Sequence, residues 1–176
     1  MSLLSLASVE NSTGEVKEIF QKAQEQFGVL FNGLRIWAVS PEKLSAQWDA
    51  MSKTMAKDPQ TVKMYTILRY ILADKDECTY CIGINEGMLI NMFGLDLELV
   101  ENLQTNPLLA PLDNKHKALM TFALQAVTNP DSIGSKDINS LKEFGASEME
   151  IFDVVYAASY TSVVNTLFKT FKIEKD

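Results

Sequence analysis

The chain has 176 residues, 47% of them hydrophobic and 22% charged, with a formal net charge of −7 and a pI near 4.8. This suits one globular domain over residues 1–176 with a substantial core. The acidic balance argues against nucleic acid, which rewards clustered Lys and Arg, and against an anionic membrane surface. The first residues, Met1 to Ser8, carry no basic group and too short an apolar run for a secretory leader. No uninterrupted apolar stretch reaches the about eighteen residues of a membrane span. The expectation is a soluble cytoplasmic protein.

Helical periodicity recurs along the chain. Ser12-Thr13-Gly14-Glu15 reads as a capping box ahead of a helix carrying Val16, Ile19, Phe20, Ala23 and Phe27 on one face and stopped by Gly28. Ser40-Pro41 opens a second helix with Leu44, Trp48, Met51 and Met55 as its apolar stripe. Asp58-Pro59 opens a third, from Val62 to Ala73, apolar on most sides and therefore central. After an Asp-Lys-Asp-Glu turn, a helix from Glu77 to about Phe93 ends at Gly94, and a short one after Asp96 carries Leu97, Val100 and Leu103. The loop from Thr105 to Pro111 is expected to be loose but tethered by Leu108, Leu109 and Leu112. A helix from about Asp113 to Asn129-Pro130 packs with Ala118, Leu119, Phe122 and Ala126. Gly134-Ser135 starts a short helix with Ile138, Leu141 and Phe144, closed by Gly145. Ser147-Glu148-Met149-Glu150 is a second capping box, ahead of a long helix to about Phe171. Nothing alternates with period two and no hairpin turn occurs, so the fold class is all-α.

Both cysteines of the chain lie three residues apart, in Asp76-Glu77-Cys78-Thr79-Tyr80-Cys81. On a helix, residues i and i+3 share a face, so the two sulfurs can meet and cycle between dithiol and disulfide. A helix N-terminus favours the thiolate there, while Asp74, Asp76 and Glu77 oppose it and Lys75 alone counters them. Zinc would need more ligands than this pair and the lone His116. No metal or cofactor is expected. His116 reads as a surface or interfacial residue.

The ordered layout resembles the alkylhydroperoxidase D and carboxymuconolactone decarboxylase superfamily, in particular its peroxidase-related branch. The likeness spans about residues 15–172. It rests on the apolar helix Val62–Ala73, the turn into Cys78-Thr79-Tyr80-Cys81, then His116-Lys117-Ala118-Leu119-Met120, Phe144-Gly145-Ala146-Ser147 and Val164-Asn165. The resemblance implies a single-domain helical bundle that assembles as homotrimers or homohexamers. It implies a thiol peroxidase or disulfide reductase acting on a small hydroperoxide and recharged by a dithiol or a disulfide reductant protein. Cys81 would be the attacking thiolate and Cys78 the resolving thiol. The family's relay histidine and glutamate fall at Asn85 and Thr66, neither of which titrates near neutrality. Glu77 and Glu86 are the alternative candidates for a base. Two rival readings stand beside this one. The first is decarboxylation of a lactone acid on the same fold, a chemistry that needs no Cys-x-x-Cys. The second is a non-catalytic oligomeric binding protein that lost the relay.

Overall fold

A computed structural model describes residues 2–176. Among them there are nine α-helices and no strand. In chain order these are α1 (Gly14–Phe27), α2 (Asn32–Arg35), α3 (Pro41–Met55), α4 (Pro59–Lys75), α5 (Thr79–Asn91), α6 (Leu97–Thr105), α7 (Asn114–Thr128), α8 (Ser135–Glu143) and α9 (Glu148–Thr170). Short 3₁₀ turns lie at Ile36–Val39, Pro107–Leu109 and Pro130–Ser132. The sequence reading contains no counterpart of α2 or of the 3₁₀ turn that follows it.

The chain divides into two compact units. One comprises the chain up to Lys57 together with Phe168–Asp176. Its core gathers Ile19, Phe20 and Ala23 from α1, Leu34, Ile36 and Trp37, Leu44 from α3, and Phe168 and Ile173. Of the expected stripe of α3 only Leu44 is fully buried. Thr13 caps α1 without a side-chain bond, and Ser12 turns back to the Ser8 carbonyl, so the expected capping box does not form. Arg35 holds the incoming chain by donating to the Leu6 and Ala7 carbonyls.

The other unit, Asp58–Leu167, holds the cysteines. Its axis is α4, which buries Val62, Met64 to Leu68 and Tyr70 to Ala73, as a helix apolar on most sides must. Asp58 caps it by accepting from the Thr61 N–H, and Pro59 takes the first helical position, where a missing N–H costs nothing. Helices α5, α6 and α7 pack on α4. Leu89, Val100, Leu103, Leu119, Met120, Leu141 and Val154 complete the core. Between α6 and α7 the tether differs from expectation. Leu108 and Leu109 are exposed, and the loop is held by buried Ala110, with Leu112 half-buried. The capping box at Ser147 does form. Its N–H donates to Glu150, and the Glu150 N–H donates to the Ser147 hydroxyl. By length and composition α9 alone, among the described residues, could cross a membrane, a test that buried helices of soluble proteins also pass.

Candidate functional site

The site is built on the junction between α4 and α5. At the end of α4 the Glu77 N–H donates to the Asp74 carbonyl and the Cys78 N–H to the Ala73 carbonyl, with Glu77 in the left-handed region at φ 55°. These two bonds are a Schellman closure, which satisfies carbonyls that the last turn of a helix leaves open. Cys78 is at once the final donor of α4 and the N-cap residue of α5. The turn is therefore shorter than the four-residue link expected, because α4 runs on through Lys75.

Cys81 sits in the first turn of α5, and the two cysteines are joined by a disulfide with their Cα atoms 5.2 Å apart. That separation is ordinary for a bridged pair. Both residues are buried, Cys78 at 1% and Cys81 at 3% exposure. The acidic surroundings seen in the sequence lie outside them. Asp74 and Glu77 point to solvent, while Asp76 accepts from Asn165 at 2.9 Å and from Ser162 at 3.2 Å. Asn165, itself buried, also donates to the Leu72 carbonyl, so α9 clamps the end of α4 on which the cysteine turn is mounted.

One turn beyond the disulfide, Asn85 is buried with both ends of its amide engaged. Its Nδ2 donates to the Cys81 carbonyl at 2.7 Å, and its Oδ1 accepts from Arg69 Nε at 3.2 Å. Thr66, fully buried on α4, donates to the Val62 carbonyl and accepts from Arg69 Nη2 at 3.2 Å. The structure thus brings Thr66 and Asn85 to one place and joins them through a guanidinium. Arg69 was not singled out from the sequence. The signal was present, since it is the one charged residue between Met64 and Ala73. Burial pulls its pKa down to about 10, so it remains a cation at neutral pH. Of the other candidate bases, Glu86 is half-buried on α5 and Glu77 exposed.

His116 is elsewhere and is not a surface residue. It is buried at the start of α7, with Nδ1 2.8 Å from Asp113 and Nε2 3.0 Å from Thr61. The Thr61 hydroxyl in turn donates to Asp58. This chain ties the N-cap of α4 to the N-cap of α7. The carboxyl of Asp58 is held below its usual range by the Thr61 hydroxyl, and that of Asp113 chiefly by the His116 backbone N–H. No group of three or more His, Cys, Asp or Glu side chains placed to hold a metal ion occurs among the described residues.

No family model matches the chain, and no curated protein does. Solved structures do. An uncharacterized peroxidase-related protein from Ralstonia eutropha JMP134, described as an alkylhydroperoxidase AhpD core, superposes with a TM-score of 0.82 at 18% identity, covering 99% of this chain and 92% of that one. An uncharacterized peroxidase-related protein from Silicibacter sp. TM1040 gives a TM-score of 0.82 at 21% identity, over the same shares of the two chains. The fold of this chain is the all-helical alkylhydroperoxidase AhpD-core fold.

Proposed function

We propose that the chain is a cysteine-based oxidoreductase that reduces small hydroperoxides and is recharged by a dithiol or a disulfide reductant protein. The observation that carries this reading is the buried Cys78–Cys81 disulfide, formed within the first turn of α5 and mounted on a rigid closure of α4. In the cycle, an external dithiol reduces the disulfide and leaves as its own disulfide. The Cys81 thiolate attacks the distal oxygen of the hydroperoxide, and the O–O bond breaks. Cys81 becomes a sulfenic acid, and the departing alkoxide takes a proton to leave as the alcohol. The Cys78 thiol then attacks the Cys81 sulfur, restoring the disulfide and releasing water. The setting proposed is cytoplasmic, where such a pair is kept cycling. The peroxidase-related neighbours share the fold and so support the reaction class.

The test is to reduce the protein, remove the reductant, add a small organic hydroperoxide and count thiols. Both thiols should disappear for each hydroperoxide consumed. Cys81→Ser should consume none, and Cys78→Ser should stop at a Cys81 sulfenic acid that a dimedone-type reagent captures. Persistence of both thiols under excess hydroperoxide would leave the non-catalytic binding protein as the better reading.

A further inference from the structure

Arg69 is a cation without a counter-ion. Its Nε and Nη2 are held by the Asn85 amide and the Thr66 hydroxyl, both neutral, and among the described residues no carboxylate approaches it. Half-buried guanidinium groups ordinarily pair with carboxylate or phosphate, because an unpaired charge in a poorly solvated place is costly. Arg69 does not, although the chain carries 23 acidic residues. Its location gives the reason. Asn85 links it directly to the backbone carbonyl of Cys81, the residue whose sulfur becomes an anion in the proposed cycle.

We propose that Arg69 is the counter-charge of the reduced site: held by Thr66 and Asn85, it stabilises the Cys81 thiolate in place of an acid–base relay. The proposal rests on the redox reading of the cysteine pair. In the disulfide state the sulfurs are neutral and the guanidinium has no anion. Two-electron reduction by an external dithiol converts the bridge to a thiol at Cys78 and a thiolate at Cys81. The protein then takes up one proton rather than two, and Arg69 gains its partner.

The other charges around the seam are already committed or solvated. On α4, Asp76 is bound by Asn165 and Ser162, Lys75 donates to Thr128, and Asp74 is exposed, as is Glu77 in the turn. Burial holds the Tyr65 and Tyr70 hydroxyls neutral, with pKa values pushed up to about 12. Glu86 of α5 and Glu101 of α6 act on Tyr70, and Glu150 and Asp153 of α9 act on Tyr65. On α7, Lys115 pairs with Glu150, and His116 is engaged by Asp113 and Thr61. Coulomb interactions weaken in proportion to the dielectric, so the cation in the seam outweighs solvated carboxylates at comparable range.

The experiment follows the single thiol of Cys81 in a Cys78→Ser background, by thiolate absorbance and alkylation rate against pH. Arg69→Met should raise its pKa by about one unit, and Arg69→Lys by less. Arg69→Gln keeps amide donors for Asn85 and Thr66 and removes the charge. It should raise the thiol pKa as Arg69→Met does, while Arg69→Lys recovers most of the shift, a rescue by charge that a merely structural role for Arg69 would not produce. An unchanged thiol pKa in folded Arg69→Met or Arg69→Gln would overturn the proposal. Where Arg69→Met unfolds, Arg69→Gln and Arg69→Lys decide. Peroxide consumption by the protein with both cysteines is scored separately. A shifted pKa without turnover would overturn the peroxidase reading and keep the counter-charge; turnover with an unshifted pKa would do the reverse.

Discussion

Glu77 occupies a backbone position that glycine usually fills. The same Schellman closure ends α8, where Gly145 takes the left-handed residue at φ 83°, and it recurs beyond α9 with Lys172 at φ 51°. Left-handed backbone costs an L-residue about 1–2 kcal/mol, because Cβ crowds the following carbonyl. Glycine removes that strain but loses more freedom on folding, about 0.5–1 kcal/mol. Glu77→Gly should therefore stabilise the protein modestly, by about 0.5–1 kcal/mol, or ~2 °C in melting temperature. A thermal denaturation curve shifted downward would mean that the Glu77 side chain contributes more than its backbone costs. Because the residue immediately precedes Cys78, the same variant shows whether a side chain is needed at the approach to the disulfide.

At the scale of helices, α7 and α9 are joined by Lys115 and Glu150, 2.7 Å apart, and Glu150 also closes the capping box of α9. The Lys115 hydrogen bond, followed by the Ser147 N–H, depresses the Glu150 pKa from 4.5 to about 2. A depressed carboxylate contributes stability above its unfolded pKa and loses it as pH falls through the folded value. The stability of the protein should accordingly fall as pH drops from about 4.5 towards 2, and Glu150→Gln should flatten that limb in acid unfolding followed by circular dichroism. The box was legible in the sequence because both of its partners lie within four residues of each other. The apparent box at Ser12 was equally legible and does not form, since Ser12 finds the Ser8 carbonyl instead. Periodicity marked the helices α1 and α3 to α9 but not which flank of each would be covered. Leu97, Phe144 and Leu108 all read as core and are exposed, because the faces they were assigned to depend on contacts distant in sequence.

For the molecule as a whole, α9 carries an exposed apolar run that the fold does not explain. Phe152, Tyr156 and Tyr160, each one turn apart, stack along it with ring centroids 6.5 and 6.1 Å apart. Met149, Phe152 and Tyr156 are 70%, 71% and 62% exposed. Isolated exposed apolar side chains are common, but a continuous run of this kind marks an interaction face. The expectation is self-association through α9, as a trimer or hexamer. Light scattering at micromolar concentration should return an oligomer mass, and Phe152→Lys with Tyr156→Lys should lower it. A monomer before substitution would contradict the expectation. The sequence disclosed that the cysteines are a pair, from their spacing alone. It did not disclose that Arg69 joins Thr66 to Asn85, because the three residues lie on two helices whose mutual register no local pattern encodes.

Cys78 serves two helices with one backbone, and under the proposed function this bears on which reductants the site would accept. Its N–H is fixed to Ala73 and its carbonyl accepts from the Ile82 N–H, so the bridged residues sit on backbone that is already hydrogen-bonded on both sides. Opening the bridge then needs side-chain rotation only, and the two thiols face each other at an effective concentration far above that of any thiol in solution. A monothiol that attacks one sulfur is expelled by the neighbouring thiol before a second molecule arrives. A dithiol completes the reduction from within the mixed disulfide, because its own second sulfur is equally close at hand. In the proposed cycle, the geometry of one turn would thereby select reductants that carry their sulfurs in pairs.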